Sequence, residues 1–176
     1  MIRALAAVAA LCVFAAPPAA AAEPYAPMAA FAPLAGKSFR GEWSGPDGKT
    51  VVDIATWELI LGGRALQSTH RIEGSSYGGR SIFFFDEGAK TYVYHYFTTA
   101  GFHTTGEASL ADGVLVASEE VRGHPTIARV TSRSTLAPDE LRVDVVYVGK
   151  DGTQTPSPSR VYKPIADPGP LFPVSQ

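Results

Sequence analysis

The sequence has one cysteine, no asparagine and few charges, with Asp, Glu, Lys and Arg making up 18% of its 176 residues. A single thiol cannot close an intrachain disulfide, so the fold must stand on its core. Without asparagine there is no N-glycosylation acceptor. Fifteen Lys and Arg stand against 17 Asp and Glu, a net charge of -2. With no basic cluster, the electrostatic footprint of a nucleic-acid binder is missing. Also missing are a Walker loop, a Gly-x-Gly-x-x-Gly fingerprint and a Gly-x-Ser-x-Gly elbow, which removes local support for nucleotide binding and elbow-type hydrolysis. What is present is apolar residues at 45%, too many for a disordered chain.

Residues 1–22 read as a secretory signal peptide. Arg3 supplies the positive start, an apolar run follows through Leu5, Leu11, Val13 and Phe14, and Ala20, Ala21 and Ala22 offer a cleavage site before Glu23. The run is shorter than the roughly 20 residues needed to span a bilayer. Cys12 is preceded by Leu11 and lies inside the run, unlike a lipoprotein cysteine. The expected location is periplasmic or secreted, and the processed chain would hold no cysteine. Residues 23–33 are rich in Ala and Pro and read as a linker. Residues 164–176 carry Pro164, Pro168, Pro170 and Pro173, which argues against regular structure in a C-terminal tail.

Between these ends, residues 34–163 read as one all-β domain. Ten short runs rich in β-branched and aromatic residues cover 38–44, 50–61, 64–73, 80–86, 91–98, 102–110, 114–121, 126–136, 141–148 and 159–163. Their dividers are turn formers: Asp47-Gly48, Asp112-Gly113, Asp151-Gly152 and Pro138-Asp139. Ten hairpin-linked strands form an antiparallel meander, which an up-and-down barrel closes without leaving edges. A β-sandwich is the alternative, although it calls for longer crossovers.

Alternation assigns sides. Leu66, Ser68, His70 and Ile72 share one face of their strand, as do Phe102, Thr104, Gly106 and Ala108, and Leu141, Val143, Val145 and Tyr147. This inward set mixes apolar with small and polar residues. Barrels of about eight or more strands can enclose one small ligand, and the mixture favours a cavity over a solid core.

The segment Trp57-Glu58-Leu59-Ile60-Leu61-Gly62-Gly63-Arg64-Ala65-Leu66-Gln67 resembles the signature of the DUF1579 group of small calycin-type barrels. Phe84-Phe85-Asp86-Glu87-Gly88-Ala89-Lys90-Thr91-Tyr92 is similar to the aromatic–Asp hairpin of that group. Leu34-Ala35-Gly36-Lys37-Ser38-Phe39-Arg40-Gly41-Glu42-Trp43 is similar to the opening pattern of calycins, with its Trp several residues later. The resemblance covers residues 34–163 and implies a lipocalin- or fatty-acid-binding-protein-like barrel; it implies no particular activity. Gly41-Glu42-Trp43-Ser44-Gly45 also fits the Gly-x-Trp-x-Gly loop of nitrobindin-like haem barrels, but those want a late strand-held histidine. The last histidine here, His124, precedes Pro125 in a turn, so no haem or other cofactor is expected.

The four histidines, His70, His95, His103 and His124, show no metal-ligand spacing, and no metal is expected. His70 alone sits on an inward face, where it would serve as a hydrogen-bonder or general base, or simply be satisfied by a backbone carbonyl. Arg64 follows the Gly62-Gly63 turn and would reach a ligand carboxylate, or else pair with Glu58 or Asp86. Tyr92, Tyr94 and Tyr96 form a row whose side is open: inside it offers hydroxyls to a ligand, and outside it is a docking patch. The expected ligand contacts are Trp57, Arg64, Leu66, His70, Phe84, Tyr94 and Tyr96, with no catalytic residue assigned. The leading expectation is a barrel binding a small, mostly apolar molecule, with no nucleic acid and no membrane span. The alternatives are an isomerase-, lyase- or cyclase-type enzyme using a lumen histidine, or an envelope interaction protein.

Overall fold

The computed structural model describes residues 25–45 and 47–172. The expected signal peptide, with Cys12, lies outside them. Eleven antiparallel strands follow in order: β1 (Lys37–Ser44), β2 (Thr50–Ile60), β3 (Ala65–Ile72), β4 (Gly78–Asp86), β5 (Thr91–Thr98), β6 (His103–Ala111), β7 (Val114–Arg122), β8 (Ile127–Ala137), β9 (Glu140–Gly149), β10 (Gln154–Pro156) and β11 (Arg160–Ile165). Each strand from β1 to β9 pairs with the next, and β11 pairs with both β9 and β1. The sheet therefore closes into a ten-strand barrel of calycin-like form, and the sandwich alternative falls away. The short β10 lies beside the upper half of β9.

Turn chemistry sets the connections. Asp112 and Gly113 both take positive φ, 51° and 72°, which matches the right-handed twist of a two-residue hairpin. At Asp47-Gly48 and Asp151-Gly152 only the glycine is left-handed, within longer loops. The Gly-Gly-Arg segment has a clear physical basis: Leu61, Gly62 and Gly63 have φ of 53°, 64° and 84° in succession, a path that two glycines make accessible.

One end of the barrel is floored. Residues 26–31, expected as linker, form a 3-10 helix, and its Met28 and Phe31 are fully buried with Leu34, Phe39 and Leu66. Apolar side chains at every third position fill the opening, while the intervening alanines remain outside. The Phe31 ring meets Tyr92 edge-on at 5.2 Å and lies 5.9 Å from Phe83. The Tyr92 hydroxyl donates to the Pro27 carbonyl at 2.5 Å, tying strand β5 to the plug. At the other terminus, β11 runs through Pro164 and Ile165, which pair with Phe39 and Ser38. Regular structure is tolerated there because β9 pairs with β11 only as far as Tyr162, leaving an edge beyond it where a missing N–H costs nothing.

Candidate functional site

Above the plug lies a cavity of about 450 Å³. Alternation along every strand supplies its walls, and the residues sort by height. Near the floor, Leu34, Trp57, Phe83, Leu115, Leu136 and Leu141 make a mostly apolar lower chamber, with Ser68 beside Trp57 and Ser134 beside Leu115. Toward the mouth stand Asp53, His70, Tyr77, Tyr96, Glu119, Tyr147, Arg160 and Tyr162. The interior is thus a blind tube with an oily base and a polar collar.

The collar is organised around Asp53, which β2 buries to 5% exposure. Asp53 Oδ1 lies 2.9 Å from His70 Nδ1, and Oδ2 accepts from the Tyr162 hydroxyl at 2.9 Å. With the carboxylate accepting, the His70 proton sits on Nδ1 and Nε2 faces the Tyr96 hydroxyl at 2.7 Å. Tyr77 extends the chain, its hydroxyl 3.0 Å from that of Tyr96. Burial pushes the hydroxyls of Tyr94, Tyr96 and Tyr162 well above the usual phenol range and raises that of Tyr77, so all four remain protonated donors at neutral pH.

Two glycines create this geometry by close approach. The Tyr162 ring crosses Gly41, where an added Cβ would lie 2.7 Å from it, and the Tyr96 ring crosses Gly79, where the distance would be 2.3 Å. Any side chain at either position would push a tyrosine off Asp53 or His70. Arg160 completes this wall. Its guanidinium lies 4.6 Å from the Trp43 ring centre, and Nη2 donates to the Tyr147 hydroxyl at 2.8 Å.

Glu119 stands apart on β7, five strands from Asp53 in a ring of ten and so across the lumen. It accepts from the Thr104 hydroxyl, and the Tyr94 hydroxyl is its other polar neighbour. Burial raises its pKa above the ordinary glutamate value.

Of the residues expected to contact ligand, Trp57, His70, Tyr94 and Tyr96 line the cavity together. Leu66 points inward but is sealed in the packed layer at the floor. Two expectations are corrected. Arg64 is exposed on the outside, its guanidinium 4.8 Å from the Tyr25 ring centre, because the left-handed turn before it swings it toward the plug. Phe84 faces out at 44% exposure; Phe83 holds the inward position, since three successive phenylalanines hide the parity of β4. The tyrosine row, whose side the alternation left open, faces in. Asp53, Glu119 and Arg160 went unnoticed in the sequence; the signal was a charge at an inward position of alternating strands. Among the described residues no group of three or more His, Cys, Asp or Glu side chains is arranged to hold a metal ion.

No family model matches the chain, and no curated protein matches it. Solved structures do. The chain is similar to the crystal structure of Rv2717c from M. tuberculosis, with a TM-score of 0.60 over 82% of this chain and 100% of that one, at 12% identity. At that identity the likeness concerns the fold.

Proposed function

We propose that this protein is an exported carrier or receptor barrel that binds one small, mostly apolar molecule in its lumen, polar end toward the mouth. The observation that carries this is the 450 Å³ chamber with an apolar base and a hydrogen-bonding collar. Its size falls within the range of small-molecule sites, and pockets of that kind pair apolar walls with a few placed polar groups. Export rests on the signal-like residues 1–22, and kinship with the DUF1579 group rests on the Gly-Gly-Arg segment; both belong to the proposal. Native mass spectrometry of the purified protein, followed by solvent extraction, tests it. The expected result is a one-to-one adduct lost on extraction and restored by amphipathic molecules. A lumen that takes up no apolar probe would overturn it.

A second reading, acid–base catalysis, is favoured by one observation, the Asp53–His70–Tyr96 chain, in which a carboxylate fixes the histidine tautomer. In that case His70→Ala abolishes turnover of a lumen substrate while the melting curve stays cooperative. Turnover that survives the substitution rules this reading out.

A further inference from the structure

Three charged side chains face the lumen besides His70, and they are not equally served. Arg160 and Asp53 are neighbours on one wall. Arg160 is stacked on Trp43 and bonded to Tyr147, while Asp53 holds His70 and Tyr162. They form no ion pair within 4.0 Å and the Arg160 Nε is buried without a partner, but the two opposite charges act on each other through the wall they share. Glu119 has no such counterpart. Among the described residues no Lys, Arg or His nitrogen lies within 4.0 Å of its carboxylate, and its partners, Thr104 and Tyr94, are neutral hydroxyls. A carboxyl group partly withdrawn from water without a cation is costly to ionise, and a cationic partner offsets that cost. With both of its carboxyls ionised, the lumen would carry one negative charge in excess.

We infer that Glu119 is the docking carboxylate for a cationic head, so that the molecule bound in the cavity is an amphipathic amine. The inference rests on the lumen being a binding site and names the class of molecule it takes. The strand itself supports the pose. Ala117 and Leu115 lie below Glu119 on the same inward face of β7, and both line the cavity. An ammonium seated on Glu119 leads an alkyl or aryl chain down past Ala117 and Leu115 to Leu136 and Leu141. The Glu119 carboxyl, held up in pKa by burial, becomes fully ionised once the cation is in place.

Decylamine, decanol and decanoate share one chain and differ only in the head, so their competition against a lumen-bound fluorescent probe isolates the head-group contribution. The full protein at neutral pH is expected to bind decylamine about ten-fold or more tightly than decanol, with decanoate weakest. Glu119→Gln leaves an acceptor for the Thr104 hydroxyl and removes the charge, so the amine-to-alcohol ratio should fall to near one. Equal affinity for amine and alcohol in the wild-type protein, preference for decanoate, or a ratio unchanged in Glu119→Gln would each overturn the inference while leaving the cavity reading intact. Failure of all three molecules to displace the probe, with the probe itself unbound, would overturn both. Should Glu119→Gln not fold, the wild-type ratio decides alone.

Discussion

The two lumen glycines make a sharp test at the level of single residues. Gly79→Ala would place a methyl group 2.3 Å from the Tyr96 ring and 2.5 Å from the Phe97 carbonyl oxygen. Neither the strand nor the ring can yield without breaking the bond to His70, so a loss of about 1–3 kcal/mol is expected, read as a lower denaturation midpoint. Glu119 makes a test by pH. Its folded-state pKa is raised above the ordinary glutamate value of 4.5, which approximates the unfolded chain. Below that pH both states are protonated and the buried group carries no penalty. As pH rises past it, the unfolded chain releases its proton first, so wild-type stability falls until the folded group also ionises. The melting temperature of Glu119→Gln should therefore gain on the wild type from mildly acidic toward neutral pH. A constant gap across that window would contradict the burial of the charge.

Among elements, the plug and the strands differ in how far the sequence disclosed them. The strands were legible because two-residue alternation and Asp-Gly turns are local signals. So was the inward set on β3, β6 and β9, from which His70 and the cavity followed. The plug was not, because a six-residue apolar turn rich in Ala and Pro carries no periodicity; only its docking against β3 and β5 gives it a structure. Arg64 and Phe84 were misplaced for related reasons. A turn of three left-handed residues resets direction, and a run of three phenylalanines has no parity to read. Phe31→Ala is expected to cost about 3–5 kcal/mol, since a fully buried aromatic is removed from between Phe83 and Tyr92. Differential scanning calorimetry would register the loss, and a melting temperature within a degree or so of wild type would mean that the plug packs loosely.

For the molecule as a whole, closure is the governing constraint. The seam between β9 and β11 holds only three register pairs, Arg160 to Tyr162 against Val143 to Leu141, while β8 and β9 pair along nearly their whole length. Amides of β11 should therefore exchange with deuterium faster than those of β8, with protection rising when the lumen is filled, because Arg160 and Tyr162 line it. Equal protection of the two strands would show the seam to be as firm as the rest of the wall. The absence of a second cysteine removes any intrachain disulfide, so reductant should leave the melting curve unchanged.

The plug also has a practical bearing. Its six residues, Ala26–Phe31, come ahead of every strand, so the stopper is threaded before the wall it closes. A bulky tag fused just ahead of it would sit against the base of the vessel and strain its seal, whereas a tag at the far terminus would not. Cut away through Leu34, the same chain would be a pipe in place of a cup, and its contents would drain from below.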